Sequence, residues 1–186
     1  MNYQLPHTIT NCIGETLMFK ELIKEPDGDK LLVESFVTPK SGPPMHTHYL
    51  QDEAITVVKG RIGYQVQGQE PAYAGAGESI VFKRGTPHKF WNAGDEILHC
   101  TGWIKPANTI VFYLSAVYAA QNKSGSAQPE MFDGAFLLSR YKSEYDMVEV
   151  PGFVKKAVIP MAYFVGRVLG KYGHFAEAPA PLKVRA

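Results

Sequence analysis

The chain has 186 residues and a formal net charge of +1, with 45% hydrophobic and 20% charged residues. These values are ordinary for a globular protein and fit one domain with an appendage. No run of one charge sign is present, which excludes the concentrated basic face typical of nucleic-acid binding. Residues 1–12 lack the basic and apolar regions of a signal peptide, so we expect a cytoplasmic protein. Cys12 and Cys100 form no closely spaced pair, and we expect two buried thiols.

The first hundred residues consist of short β-prone segments separated by turn residues. Asp27-Gly28 is typical of a hairpin turn. Ile62, Tyr64 and Val66 alternate with Gly or Gln, which is the period of a strand. Many short strands at regular spacing predict an antiparallel sandwich or barrel. The predicted strands span residues 14–23, 31–37, 54–58, 62–66, 79–82, 87–91 and 96–103.

The pattern changes to a helical one beyond residue 106. Residues 109–121 contain neither Gly nor Pro and predict a helix, and residues 131–145 predict a second. A third is predicted over residues 151–172, where apolar residues recur near the helical period and Pro160 predicts a kink or break. We expect these helices to pack on the barrel or on a dimer mate. Membrane contact is not expected, since the uncharged run 157–166 is too short to span a bilayer.

Four residues form a pattern typical of a metal site. In an extended strand His46 and His48 point to the same face. Glu53 follows five residues later, and His88 comes after the turn residues Gly85 to Pro87. Three imidazoles and one carboxylate suit a first-row divalent metal and need no unusual pKa at pH 7. We therefore predict one divalent ion, which is iron, manganese, nickel, copper or zinc.

The segment around the first three of these residues resembles the cupin family. The first cupin motif is G-x5-H-x-H-x3,4-E-x6-G. The chain matches it from His46 through Glu53 to Gly60, whereas Gly42 is separated from His46 by three residues instead of five. The departure falls on a turn residue and leaves the ligand pattern intact.

The second cupin motif, G-x5-P-x-G-x2-H-x3-N, follows at the short separation of compact cupins. The chain matches it with Gly77, Gly85, His88 and Asn92, and Lys83 stands where the family has proline. Both motifs occur in order, which makes the resemblance specific. It covers about residues 30–105 and says nothing of the remaining C-terminal part.

The resemblance implies a mainly β fold, a double-stranded β-helix or jelly roll, with C-terminal α-helices. We expect residues 1–106 to form the cupin β-barrel and residues 107–186 to form a helical extension. By resemblance, His46, His48, Glu53 and His88 are the metal ligands and the chain forms a homodimer.

Residues near the motifs are candidates for a substrate pocket. Period 2 places Phe90 and Asn92 on the same face as His88. Phe36 and Tyr64 belong to other predicted strands of the barrel. We expect Phe36, Tyr64, Phe90 and Asn92 to line a pocket for a small apolar or aromatic molecule, since such pockets are mostly apolar with a few polar groups.

These features favour a metal-dependent oxidoreductase of the dioxygenase type, with Glu53 as a catalytic residue that could leave the metal and act as a base. Two alternatives stay open: a non-catalytic barrel that binds or senses a small molecule, and a metal-dependent isomerase. A four-coordinate zinc closed by the same four ligands would be structural. The fold does not decide among these, because one fold hosts many functions.

Overall fold

A computed structural model describes residues 3–182 of the chain, which form two antiparallel sheets and a group of helices. Residues 1–2 of the predicted barrel (1–106) and residues 183–186 of the predicted helical extension (107–186) lie outside the described residues. The first sheet has the order β1-β2-β3-β10-β5-β8 and contains β1 (His7–Thr10), β2 (Glu15–Ile23), β3 (Lys30–Val37), β5 (Asp52–Lys59), β8 (Ser79–Phe82) and β10 (Leu98–Lys105). The second has the order β11-β4-β9-β6-β7 and contains β4 (His46–His48), β6 (Arg61–Val66), β7 (Ala72–Gly75), β9 (His88–Asn92) and β11 (Tyr145–Met147).

The jelly-roll class predicted from the sequence is confirmed. The centre of the first sheet depends on a close approach of β10 to β5. Gly102 of β10 pairs with Ile55, and a Cβ atom at Gly102 would overlap the carbonyl oxygen of Ala54. A residue without a side chain therefore lets the two strands pair at this point.

The second sheet is completed by a strand from the C-terminal part of the chain. β11 pairs with β4, and Tyr145 lies opposite His48. The helix predicted over residues 131–145 is therefore wrong at its C-terminal end, because residue 145 belongs to this strand. Buried Glu144, just before the strand, accepts hydrogen bonds from the Thr109 hydroxyl at 2.8 Å and from the Leu182 N–H at 2.9 Å.

Three α-helices lie beyond β10, with β11 between the second and the third: α1 (Ile110–Ser124), α2 (Met131–Arg140) and α3 (Ile159–Val168). The carboxylate of Glu130 caps α2 by accepting from the N–H groups of Phe132 and Asp133. Residues Val154–Val158 form a π-helical turn that leads directly into α3. Pro160 lies in the first turn of α3, where the missing N–H costs no helical hydrogen bond, so the predicted break takes the form of a change of helix type.

The buried apolar side chains form two clusters. One fills the space between the sheets and includes Val57, Phe82 and Cys100. The other joins the first sheet to the helices, with Phe19 and Leu31 packed in the same cluster as Phe112, Leu137 and Tyr141 of the C-terminal part. The helices are thus packed on the barrel of their own chain.

The two cysteines are free and differ in their surroundings. Cys100 lies in the core of the barrel, where burial raises the pKa of its thiol to about 12. Cys12 is exposed at the turn between β1 and β2, so the prediction of a buried thiol is wrong there. Within residues 3–182, no helix is long and apolar enough to cross a membrane.

Candidate metal centre

Three strands, two from the second sheet and one from the first, bring the predicted ligands together. β4 carries His46 and His48, β5 carries Glu53, and β9 carries His88, which pairs with His46 across the two strands. One nitrogen or oxygen atom from each of these four side chains lies within 4.8 Å of every other. His48 and His88 are buried and His46 is half-buried, so the group faces the interior of the barrel.

Backbone carbonyl groups orient two of the imidazoles. Nδ1 of His46 lies 2.8 Å from the carbonyl oxygen of Pro44, and Nδ1 of His88 lies 2.9 Å from that of Thr86. A carbonyl oxygen only accepts hydrogen bonds, so Nδ1 is the protonated nitrogen in both rings. The Nε2 lone pairs are then available to a metal, and this tautomer is the one that carbonyl partners commonly select in metal sites.

The position of Glu53 fits a proton or a metal ion bound inside the cluster. Its Oε2 atom lies 3.2 Å from Nε2 of His88 and 3.5 Å from Nε2 of His48. In a neutral His88 whose Nδ1 donates to Thr86, Nε2 bears a lone pair directed at a carboxylate oxygen. Two lone pairs at this distance repel each other unless a proton or a metal ion lies between them.

Burial keeps the imidazoles in the form that binds metals. Desolvation, together with the neighbouring charges of His48 and His88, lowers the pKa of His46 to about 3. Desolvation also lowers the pKa of His48 to about 4, against the opposing effect of Glu53. Both rings are therefore neutral at pH 7 and need not release a proton when a metal binds.

Glu53 is ionised under the same conditions. Burial alone would raise its pKa. A hydrogen bond from His88, which forms when Nε2 of that ring carries a proton, and the positive charges that the three histidines acquire at low pH lower it to about 2. Nδ1 of His48 is buried without a hydrogen-bond partner. A donor set of three imidazoles and one carboxylate, with a buried nitrogen left unpaired, fits a first-row divalent metal ion.

The cluster opens into a largely apolar cavity of about 140 Å³. Its walls include Leu17, Val33 and Ile55 of the first sheet, and α1 covers it with Tyr113 and Leu114. An engineered apolar cavity of about 150 Å³ in another protein binds benzene. The space beside the cluster therefore suits a molecule of about one ring.

Residues 34–104 match the family model described as a cupin domain. This segment of the barrel is a cupin domain. This segment contains all four residues of the cluster and ends one residue before the end of β10.

Two curated fungal proteins are similar to parts of this cupin. Oxidoreductase iacF of Pestalotiopsis fici is 29% identical over 135 residues, which cover 64% of this chain and 66% of that protein. Probable oxidoreductase virH of Hypocrea virens is 32% identical over 95 residues, which cover 46% of this chain and 43% of that protein. The matched segments thus span less than two thirds of the length of either relative.

Solved structures are also similar to parts of the chain. An uncharacterized conserved protein with a double-stranded β-helix domain from Klebsiella pneumoniae is 22% identical, with a TM-score of 0.41, over 47% of this chain and 76% of that one. KdgF from Halomonas sp. is 16% identical, with a TM-score of 0.44, over 53% of this chain and 84% of that one.

Of the residues predicted to line the pocket of this cupin, Phe90 lies in the cavity wall. The other three do not line this cavity. Phe36 is exposed and stacks on His99, and Tyr64 packs against Phe82 in the cluster between the sheets. Asn92 is buried, but its amide donates to the backbone carbonyl groups of Val37 and Glu96 and so joins two segments of the barrel.

Two polar residues of the cavity wall have no counterpart in the sequence motifs. Glu15 begins β2, and Tyr118 lies on α1. A glutamate at the start of an otherwise apolar strand face is a weak signal, since exposed strand ends commonly carry charge. The position of Tyr118 depends on how α1 packs across the barrel, which a local pattern does not specify.

Proposed function

We propose that this cupin is a metal-dependent oxidoreductase that acts on a small apolar or aromatic molecule. The observation that carries the proposal is the cluster of neutral His46 and His48 with ionised Glu53, which opens into an apolar cavity of about one ring. The two curated relatives are both named as oxidoreductases, which supports oxidation or reduction as the reaction class.

His46, His48, Glu53 and His88 would hold one divalent ion, which we propose to be iron, manganese, nickel, copper or zinc. When bound, a redox-active ion would supply electron transfer between the substrate and O2. Within the oxidoreductases, we propose a dioxygenase reaction, in which both oxygen atoms of O2 enter the product.

The residues around the cluster would orient the reactants and exclude water. The carbonyl groups of Pro44 and Thr86 fix the rings of His46 and His88. α1 covers the cavity, which shields the reacting atoms from solvent. A carboxylate with a pKa of about 2 is a weak base, so we propose that Glu53 contributes to catalysis mainly as a ligand of the ion.

The first test is the metal content of protein purified without a metal-affinity tag, followed by O2 consumption with phenols, flavonols and diketones. Stoichiometric iron, manganese, nickel or copper, with O2 uptake that disappears in His48→Ala, is the expected result. Protein that takes up no metal after reconstitution would contradict the proposal. A ligand that raises the melting temperature of the loaded protein and is recovered unchanged, with no O2 uptake from any compound, would favour a binding barrel instead.

We also propose that the chain forms a homodimer through one face of the third helix. One side of α3 packs on α2, with Tyr163 close to Phe136. Exposed apolar residues of α3 and of its flanks each present more than half of their surface to solvent: Met161, Phe164 and Val168 within the helix, Phe153 before it and Leu169 after it. Contiguous exposed apolar surface of this kind marks interaction sites.

Sedimentation velocity tests the dimer. Phe164→Asp is expected to convert a dimer to a monomer, because a buried unpaired charge opposes association. Val81→Asp introduces the same charge at a half-exposed position of β8 and should leave the dimer intact. A wild-type chain that sediments as a monomer at micromolar concentration would refute this part of the proposal.

A further inference from the structure

The wall of the metal-site cavity contains a second polar group, distinct from the cluster of His46, His48, Glu53 and His88. It is the carboxylate of Glu15 together with the hydroxyl of Tyr118, and both residues line the same cavity as the cluster. Glu15 is 5% exposed and belongs to neither cupin motif. The cavity therefore has two polar regions joined by apolar walls.

A network of hydrogen bonds holds the Glu15 side chain in place. Its Oε2 atom accepts from Nδ2 of Asn11 at 2.8 Å and from the hydroxyl of Tyr118 at 3.1 Å. Asn11 Nδ2 also donates to the Gln121 side chain at 3.1 Å, and Asn11 Oδ1 accepts from the N–H of Glu15 at 2.9 Å. The carboxylate is thus fixed from the turn between β1 and β2 and from α1 before any ligand binds.

Among the residues that the structure describes, this buried acid has no cationic partner. None of the ion pairs formed within residues 3–182 includes Glu15. Burial raises the pKa of Glu15, and the bonds from Asn11 and Tyr118 offset this only in part. A desolvated carboxyl group beside a cavity gains from a ligand that donates a hydrogen bond, because bonds to charged acceptors are the stronger ones.

We propose that Glu15 is the acceptor for a hydroxyl or amine group of the substrate, and that Tyr118 positions it. The substrate class is then a molecule of about one ring, apolar in its middle, with an oxygen at the metal end and a hydrogen-bond donor at the Glu15 end. The role of the oxygen at the metal end rests on the proposed metal-dependent function. The role of the donor at the Glu15 end does not depend on it. Glu15 sets which molecules bind, and the cluster sets what happens to them.

The substrate specificity follows from the groups that each end of the cavity binds poorly. A ring compound with a methyl group in place of the donor would leave the carboxylate of Glu15 buried against an apolar surface. Sites built around a buried polar group discriminate strongly against analogues that lack its partner. Molecules longer than about one ring would not fit between the two ends without displacing α1.

The test uses zinc-loaded full-length protein and calorimetry, with the three benzenediols compared with the three cresols. Zinc undergoes no redox change, so binding is measured without turnover. At least one diol should bind about 10-fold or more tightly than the cresol of the same substitution pattern. The same affinities for diols and cresols, or no binding of either at millimolar concentration, would overturn the proposal.

Variants assign the preference to Glu15. Glu15→Gln keeps the side-chain volume and removes the charge, and should weaken binding of the preferred diol about 10-fold while leaving its cresol unchanged. Tyr118→Phe keeps the charge and removes one positioning bond, with an expected loss of about threefold. Glu34→Gln neutralises a carboxylate that pairs with Lys20 and His99 and is absent from the cavity wall, and should change nothing.

The variants also separate this proposal from the proposed function. Tyr118→Phe keeps the test decisive if Glu15→Gln fails to fold, as judged by circular dichroism and zinc content. A diol preference that is undiminished in each folded variant would refute the role of Glu15. Failure to bind zinc at all would instead refute the metal site, and a Glu15-dependent preference without O2 uptake would refute only the oxidoreductase reaction.

Discussion

The ring of Tyr145 meets the imidazole of His48 edge-on, with 5.6 Å between their centroids, and the two residues face each other where β11 pairs with β4. The Tyr145 hydroxyl lies 3.1 Å from the amide nitrogen of Gln51 and 3.1 Å from the hydroxyl of Thr109. A residue from the C-terminal part of the chain thus supports one of the four side chains of the metal cluster.

Tyr145→Ala is expected to weaken both the fold and the metal site. Removing this buried ring should lower the free energy of unfolding by about 3–5 kcal/mol. Loss of support for His48 should weaken metal binding by about 10-fold or more. Tyr145→Phe keeps the ring and loses only the hydroxyl contacts, so it should cost about 1 kcal/mol and leave metal affinity nearly unchanged. Equal metal affinities for the alanine and phenylalanine variants would contradict the supporting role.

His88→Ala should abolish stoichiometric metal binding, because it removes one of four donors from a preformed site. His99→Ala is the matched control, since His99 pairs with Glu34 and lies outside the cluster. Titration of the metal-free proteins with zinc or cobalt gives the stoichiometry and affinity of each. Stoichiometric, wild-type binding by His88→Ala would show that the metal is held elsewhere.

The metal-free protein is expected to lose stability as the pH falls below neutrality. Desolvation is the main cause that lowers the pKa of His46 to about 3, and the charges of nearby histidines add to it. Desolvation also lowers the pKa of His48 to about 4. In the unfolded chain both titrate near the ordinary value of about 6.5. Below that pH the unfolded chain binds more protons than the folded one, so stability falls by up to about 1.4 kcal/mol per pH unit for each proton.

Urea denaturation after treatment with a chelator measures this effect at pH 7.5, 6 and 5. The contribution of Glu53, whose pKa is lowered to about 2, has the same sign but is lost only below about pH 4.5. His46→Gln should reduce the pH dependence, whereas His99→Gln should preserve it. A midpoint that stays constant from pH 7.5 to 5 would argue against buried neutral imidazoles.

Gly102→Ala should destabilise the barrel by about 1–3 kcal/mol, because the added methyl group overlaps the carbonyl oxygen of Ala54. Gly152→Ala is the control, since a Cβ atom there has no heavy atom within 4 Å. Gly152 lies where the last helical segment begins, and the control should be neutral or slightly stabilising. Thermal unfolding of the two variants gives the comparison, and equal melting temperatures would refute the close approach of β10 and β5.

Local patterns were sufficient for the larger elements and for the metal cluster. The alternation at Ile62, Tyr64 and Val66 corresponds to β6, and the helix predicted over residues 109–121 corresponds to α1. The meeting of the four side chains of the cluster could be predicted, because a two-residue spacing on one strand and two turn-bounded motifs carry their own geometry. That these residues bind a metal stays a prediction. The division at residue 106 and the cytoplasmic location stay predictions.

The rest depends on contacts between distant parts of the chain. β11 is a strand because its partner is β4, and nothing in the sequence around Tyr145 indicates that pairing. The two-residue period of the strand correctly predicts that Asn92 points inward. Its side chain nevertheless donates hydrogen bonds to backbone carbonyl groups and does not line the cavity. Glu15 and Tyr118 become neighbours only when α1 lies across the first sheet.

The pairing of β11 with β4 also has a consequence for the order in which the protein is made. A ribosome releases the histidines of β4 long before Tyr145, and until then that strand has one unpaired edge. Such an edge is a template for pairing with other chains. The edge of β4 in the nascent barrel is therefore open to other chains until β11 closes the second sheet.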